Sequence, residues 1–283
     1  MHRTGRGNML KQEQKLLREH YLKCAETVKN NSLLTLYAKE KLIHSLQVFG
    51  AGLFICKHEP HLNNFSEPLK EKALTAVLLH DIGRFAEITA THANPDNHPD
   101  HGILGSEILK NIPQYNDIRI TLSIKHHGHM IEELYDDPEY KQIKNKELRH
   151  EVEKITFLIR DADKIANFYL FNRKAEEYHK LIFDEISSEN INKGLSPHIL
   201  EYFLNQKVIP TKEVCSLQDR IISIICWIFD LNYAPSFKFL QDTAPFGSFF
   251  TLLDKHNPDK KLQETIVQNT KNYINSRYHQ LKG

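Results

Sequence analysis

The heptapeptide Leu78-Leu79-His80-Asp81-Ile82-Gly83-Arg84 decides how the chain is interpreted. Ala73, Ala76 and Val77 share one face with His80 by the i, i+3, i+4, i+7 rule, which predicts a helix that ends at the heptapeptide. His80 and Asp81 therefore lie at a helix end, where their side chains diverge. Because a carboxylate presents two oxygens, Asp81 is able to bridge two metal ions, and the pair predicts a metal site.

Histidine is abundant, with 17 residues, but its placement is more informative than its number. Working outward from His80-Asp81, further imidazole and carboxylate groups occur on other predicted helices or helix ends. They are His44, His101, His126 followed by His127, and Asp163. Neutral imidazole and carboxylate are common ligands of transition metals. One carboxylate flanked by histidines from several helices predicts either a mononuclear or a dinuclear site.

Helix signals dominate the chain, and no segment alternates in the manner of a strand. Helix starts are predicted at Asn31-Ser32, at Asp100 before His101, and at Ser196-Pro197. The fold class is therefore all-α. Since no Pro/Gly/Ser-rich linker divides the chain, one helical domain is expected over residues 9–283. Its expected parts are a flexible N-terminal arm over residues 1–8, a motif core over residues 32–172 and a C-terminal helical elaboration over about residues 211–283.

The charge of the chain is nearly balanced, with 37 Lys and Arg against 36 Asp and Glu. This balance argues against a broad nucleic-acid or anionic-membrane surface and is compatible with a small basic pocket for a phosphorylated molecule. No apolar run reaches the length of a membrane span. The four cysteines are widely separated, and no secretory signal is present. These features predict a cytoplasmic protein without a disulfide framework.

The motifs resemble those of the HD-domain superfamily of metal-dependent phosphohydrolases, which is named for its His-Asp pair. The heptapeptide is similar to the central motif of that family, and four flanking motifs follow the family order. They are His44-Ser45-x-x-Val48, His101-Gly102-x-x-Gly105-Ser106, Ile124-Lys125-His126-His127 and Ala162-Asp163-Lys164-Ile165. Each motif alone is weak, but five in order over roughly residues 32–172 form a strong signal.

The resemblance implies a dinuclear centre. The implied ligands are His44, His80, Asp81 and Asp163 for the first ion, and Asp81, His101 and His126 for the second. Asp81 thus bridges the two ions. The ligand types suit divalent or redox metal ions and do not distinguish Fe, Mn, Zn, Ni, Co or Mg.

Two ligand assignments stay open. Asp161 is an alternative to Asp163, although the Lys164-Ile165 that follows Asp163 agrees with the family pattern. His127 is able to replace or join His126. Neighbouring residues of a helix differ by about 100° in direction, so both histidines are not expected at the same ion.

Basic residues next to the ligand motifs are candidates for neutralising a substrate phosphate. Arg84 is the best candidate, because its guanidinium binds two oxygens at once and the family often has Lys or Arg at this place. Lys125 is a second candidate for a catalytic role beside Asp81, and Lys164 and Arg160 are weaker ones.

A trinuclear subgroup of the superfamily, the cyclic-dinucleotide phosphodiesterases, has a glutamate four residues before its first histidine. Glu40 has this spacing from His44, so it is a candidate third-ion residue. The subgroup's Gly-Tyr-Pro motif is replaced here by Gly128-His129-Met130. Cyclic di-GMP is therefore disfavoured as the substrate.

The favoured function is hydrolysis of a small phosphate ester, with a nucleotide as the first candidate, by metal-activated hydroxide. The same ligand set also resembles mixed-valent di-iron oxygenases of the superfamily, and a non-enzymatic sensor or binding module is the third hypothesis. The aromatic segment from Trp227 to Phe250 is interpreted as core packing. Its alternatives are a substrate lid or a homodimer surface.

Overall fold

The computed structural model describes residues 4–173, 186–187, 189–191, 193–256 and 259–282. The side chains of residues 4–10 and 171–173 are not included in this description. These residues form helices, turns and loops without a β-strand, so the predicted all-α fold is confirmed. The α-helices are α1 (Thr4–Thr27), α2 (Ser32–His58), α3 (Pro60–Asn63), α4 (Glu67–Leu79), α5 (Arg84–Ala93), α6 (His101–Lys110), α7 (Ile118–His126), α8 (Ile131–Asp136), α9 (Pro138–Lys141), α10 (Lys146–Arg173), α11 (Pro197–Leu204), α12 (Leu217–Ile225), α13 (Ala234–Thr243), α14 (Gly247–His256) and α15 (Lys260–Lys282). Short 3₁₀ helices cover Thr211–Glu213 and Cys226–Asp230.

Backbone contacts group the chain into two compact units, Met1–Asp163 and Lys164–Gly283. The boundary falls inside α10. Helix α1 begins at Thr4, before the predicted start of the ordered chain at residue 9, and residues 1–3 lie outside the described part. The single domain over residues 9–283 stays a prediction.

Side-chain caps fix the starts of the helices that carry the motifs. Asn31 Oδ1 accepts a hydrogen bond from Leu34 N at 3.1 Å at the start of α2. Asp100 Oδ1 accepts one from Ile103 N at 2.8 Å at the start of α6, as the sequence predicts. Each cap satisfies a backbone N–H that has no partner within the helix.

The core of the first unit lies between α2, α4, α6 and α7. Helix α4 packs against both α2 and α7, and α6 packs against α7. Leu78, Leu79 and Ile82, which surround the His-Asp pair, are completely buried. The central heptapeptide therefore lies in the interior of this unit, and its polar residues are held between packed helices.

The second unit has its own aromatic core. Phe237, Phe246 and Phe249 are buried, and Phe168 contacts Phe246 with ring centroids 4.9 Å apart. Helix α12 starts at a capping box, in which Ser216 Oγ accepts a hydrogen bond from Asp219 N at 3.0 Å. The positions of these rings support the interpretation of the aromatic segment as core packing.

Candidate metal centre

The predicted ligands come from separate helices of the first unit. They are His44 within α2, His80 and Asp81 in the turn after α4, His101 at the start of α6, His126 and His127 at the end of α7, and Asp163 within α10. Three of these places are helix ends.

One group of donor atoms joins α2, α4 and α10. His44 Nε2 lies 2.8 Å from Asp163 Oδ1. The ligand atoms of His44, His80 and Asp163 all lie within 4.8 Å of one another. His80 Nε2 is buried without a hydrogen-bond partner in the described structure. A buried nitrogen without a hydrogen-bond partner, next to the carboxylate of Asp163, fits a cation-binding site.

A second group joins the His-Asp turn, α6 and α7. Asp81 Oδ1 lies 3.4 Å from His101 Nε2 and 3.7 Å from His127 Nε2, and the two nitrogens are 3.3 Å apart. A tetrahedron with metal–ligand bonds of about 2.1 Å has edges of roughly 3.4 Å. These three atoms therefore already have the spacing of one face of a metal coordination shell.

Asp81 faces both groups. Its Oδ1 points to the nitrogens of His101 and His127, and its Oδ2 lies 3.7 Å from His80 Nε2. The ligand atoms of His80, Asp81 and His127 also lie within 4.8 Å of one another. One carboxylate is thus shared by the two groups of donor atoms, which is the arrangement that a bridging ligand needs.

Backbone carbonyls fix the tautomers of two ligands. His80 Nδ1 lies 2.9 Å from the carbonyl oxygen of Val77, and His127 Nδ1 lies 2.7 Å from that of Ile124. A carbonyl only accepts, so Nδ1 carries the proton in both rings and Nε2 of the neutral imidazole keeps its lone pair. Metal-binding histidines are commonly oriented by such a hydrogen bond from the other ring nitrogen.

The environment favours the ionisation states that metal ligands need. Burial lowers the pKa of His80 to about 4 and that of His101 to about 3, so both rings are neutral at pH 7. Burial alone would raise the pKa of Asp81, but the charges of Lys41 and of His80, among other neighbours, hold it well below the usual range of aspartate. Neutral imidazole and ionised carboxylate are the forms that bind metal ions.

Motif glycines let α6 lie against the other two ligand-bearing segments. A Cβ on Gly83 would be 2.1 Å from the carbonyl oxygen of His101, and one on Gly102 would be 2.5 Å from that of Lys125. No real side chain tolerates these distances. The glycines therefore allow the close backbone contacts that bring His101 next to Asp81 and His127.

Arg160, on α10, supports the end of α7. Its Nη1 donates hydrogen bonds to the carbonyl oxygens of His126 and His127, each at 3.1 Å, and to that of His129. The last carbonyls of a helix have no partner within the helix, and the buried guanidinium supplies one. Arg160, predicted as a weak phosphate candidate, instead fixes the backbone that carries His127.

His126 and Lys125 contact a different carboxylate, and His126 belongs to neither group of ligand atoms in the described residues. His126 Nε2 and Lys125 Nζ both contact Asp137 Oδ2, at 2.8 and 2.7 Å. With His129 and Glu133 they line a separate cavity of about 390 Å³. Sequence reasoning missed Asp137, because this aspartate lies in a loop and follows no ligand spacing.

The remaining candidates also lie elsewhere. Lys164 pairs with Asp230 at 2.5 Å within the second unit, and Glu40 is exposed on α2. Asp161 is fully buried, but in the described residues it belongs to neither group of ligand atoms. The structure thus brings Asp163, rather than Asp161, to the other ligands.

Two cations flank the shared aspartate. Arg84 Nε lies 3.8 Å from Asp81 Oδ1, while Arg84 Nη2 donates to His101 Nε2 at 2.9 Å and Nη1 to Glu87 at 2.6 Å. Lys41 Nζ lies 3.7 Å from Asp81 Oδ2. Lys41 was missed in the sequence, although it precedes His44 by three residues and so shares its helix face.

The described helices thus bring histidine and aspartate from several elements together in an arrangement that could hold a metal ion. The family model of the HD domain matches residues 42–167. This match assigns residues 42–167 to the HD-domain family, whose members are mostly metal-dependent hydrolases. A search of the curated proteins found no match to the chain, and neither did a search of the solved structures.

Within the described residues, no helix combines the length and the apolar character needed to cross a membrane.

Proposed function

We propose that the chain is a metal-dependent phosphohydrolase that cleaves a small phosphate ester, with a nucleotide as the first candidate substrate. The observation that carries the proposal is the close approach of two histidines to one carboxylate. His101 Nε2 and His127 Nε2 lie 3.3 Å apart, and Asp81 Oδ1 lies 3.4 and 3.7 Å from them. Two imidazole nitrogens and a carboxylate oxygen at this spacing form a ligand set for one cation.

The donor set fits two metal ions. The proposed ligands are His44, His80, Asp81 and Asp163 for one ion, and Asp81, His101 and His127 for the other. We propose His127 rather than His126 because only His127 faces Asp81. When bound, such ions supply Lewis-acid activation of water and of phosphoryl oxygens. The ligand types leave Fe, Mn, Zn, Ni, Co and Mg all possible.

The residues of the chain provide the geometry of the reaction. Asp81 would contribute one oxygen to each group of donor atoms, since Oδ1 faces His101 and His127 and Oδ2 faces His80. Arg84, whose fork now contacts His101 and Glu87, is placed to bind the equatorial oxygens of a phosphoryl group, where negative charge accumulates. The burial of His80 and Asp81 keeps bulk water from weakening these electrostatic interactions.

The test is a screen of chelator-treated protein, supplemented with each metal in turn, against nucleoside mono-, di- and triphosphates and cyclic nucleotides. We expect release of phosphate or of a nucleoside phosphate by the wild type. Asp81→Ala should lose both metal binding and turnover. His92→Ala, which changes an exposed histidine of α5, is the matched control and should retain both.

Two outcomes would oppose the proposal. Full activity of Asp81→Ala would refute the site. Consumption of dissolved oxygen by the iron-loaded protein without hydrolysis of any phosphate ester would instead assign the centre to the oxygenase branch.

A further inference from the structure

Lys41 holds a position that the metal ligands alone do not explain. Its ammonium group lies 3.7 Å from Asp81 Oδ2, and its side chain is only 23 % exposed. The ring of Tyr37, one turn earlier on α2, lies 5.5 Å from the same ammonium. Lys41 is thus held between an aromatic ring and the shared carboxylate, although a free lysine on a helix surface would extend into water.

Lys41 and Arg84 come from different helices and flank opposite oxygens of Asp81. Lys41 approaches Oδ2 and Arg84 approaches Oδ1. A cation beside a metal ligand weakens the binding of a metal ion, because like charges repel. Such a residue is useful at a metal centre when a further anion joins the site and interacts with it.

We propose that Lys41 binds the substrate phosphate together with Arg84, and that this pair of cations selects phosphate monoesters over diesters. The proposal rests on the phosphohydrolase function proposed above. A monoester carries close to two negative charges at neutral pH, since its second pKa is about 6, whereas a diester carries one. Two cations on opposite sides of Asp81 match the dianion.

The test compares Lys41→Met, Lys41→Arg and Lys39→Met. Lys39 lies two residues away on the exposed side of α2 and serves as the matched control. Inorganic phosphate is titrated into the Mn²⁺-loaded proteins by calorimetry. We expect Lys41→Met to weaken phosphate binding about tenfold, Lys41→Arg to retain most of it, and Lys39→Met to equal the wild type.

A second titration, of Mn²⁺ into the metal-free proteins without phosphate, separates this role from a structural one. Loss of the Lys41 charge should leave Mn²⁺ binding unchanged or make it tighter, while phosphate binding weakens. If Lys41 only supported the fold, Lys41→Met would weaken the binding of both.

Turnover provides the specificity readout. With p-nitrophenyl phosphate and bis(p-nitrophenyl) phosphate as probes, Lys41→Met should lower kcat/KM more for the monoester than for the diester. Phosphate binding by Lys41→Met equal to that of the wild type, or no phosphate binding by the wild type at all, would overturn the proposal. A wild type that binds phosphate through Lys41 and hydrolyses neither probe nor any nucleotide would count against the phosphohydrolase function alone.

Discussion

His101 Nε2 lies 3.3 Å from His127 Nε2, and Asp81 Oδ1 lies within 3.7 Å of both nitrogens. The two residues are brought together by the contact of α6 with α7, in which Gly102 leaves room for the backbone of Lys125. Two imidazole nitrogens at this distance are able to bind the same cation. The short distance between the two nitrogens therefore predicts that His101 and His127 bind the same ion.

We expect His127→Ala to lose the second metal ion, whereas His126→Ala should still bind two. His127 faces Asp81, while His126 contacts Asp137. Removal of a direct ligand should lower the affinity of the second ion by more than the roughly 10–100-fold seen when an outer partner is removed. Elemental analysis and calorimetry give the stoichiometry. One ion in His126→Ala and two in His127→Ala would reverse the assignment.

Arg84→Met should raise the affinity of the second ion and lower turnover. The guanidinium donates to the His101 nitrogen that the ion needs, so its removal frees that lone pair. Turnover should fall by about 10–100-fold because the phosphate loses a forked partner. Lys125→Met is the control, since Lys125 pairs with Asp137 and should leave the second-ion affinity unchanged. Weaker binding of the second ion in Arg84→Met would contradict this competition.

Gly83→Ala should destabilise the protein by about 1–3 kcal/mol or more, because its Cβ would meet the backbone of His101 and of Gly105. Gly50→Ala is the control. Gly50 lies in α2. Apart from its chain neighbours and the backbone of its own helix, no atom lies within 4 Å of the place that an alanine methyl group would take, so alanine there should stabilise the helix by about 0.5–1 kcal/mol. Urea unfolding of the metal-free proteins measures both changes. Equal stability of Gly83→Ala and the wild type would show that α6 is free to move.

The metal-free protein should lose stability as the pH falls from about 6.5 toward 4. Burial depresses the pKa of His80 to about 4 and of His101 to about 3, from an ordinary value of 6.5. In this range the unfolded chain binds protons that the folded chain does not, so stability rises with pH. Each group contributes up to about 1.4 kcal/mol per pH unit.

The pH prediction is checked by urea unfolding between pH 7 and pH 4.5. His101→Asn should show a smaller dependence on pH than the wild type, because one of the two buried histidines is gone. An unchanged slope would mean that His101 is protonated in the folded protein.

Short motifs indicate most residues of the candidate centre, whereas packing between helices decides the others. His44, the His-Asp pair, His101 and Asp163 reach the centre as their motifs indicate. The choice between His126 and His127 depends on the orientation of the last turn of α7. Arg160, on α10, holds that turn by donating hydrogen bonds to the carbonyl oxygens of both histidines. No local pattern contains that information.

Lys41 and Asp137 show the difference between neighbours along one helix and contacts between separate segments. Lys41 was not among the predicted residues, but helical spacing is sufficient to find it, because it lies one turn before His44 on the same helix. Asp137 does not follow from spacing, since its contacts with Lys125 and His126 arise from a loop that folds back onto α7. Helical periodicity therefore predicts neighbours on one helix, whereas partners across the core require coordinates.

The hydrogen bond between His44 and Asp163 joins residues 119 positions apart in the sequence. An ion held by these two side chains and by His80 would act as a cross-link between α2, α4 and α10, closing long loops that an unfolded chain leaves open. The melting temperature of the first unit should then depend on the free concentration of the metal, so that availability of the ion in the cell controls how long the folded protein survives as well as how fast it works.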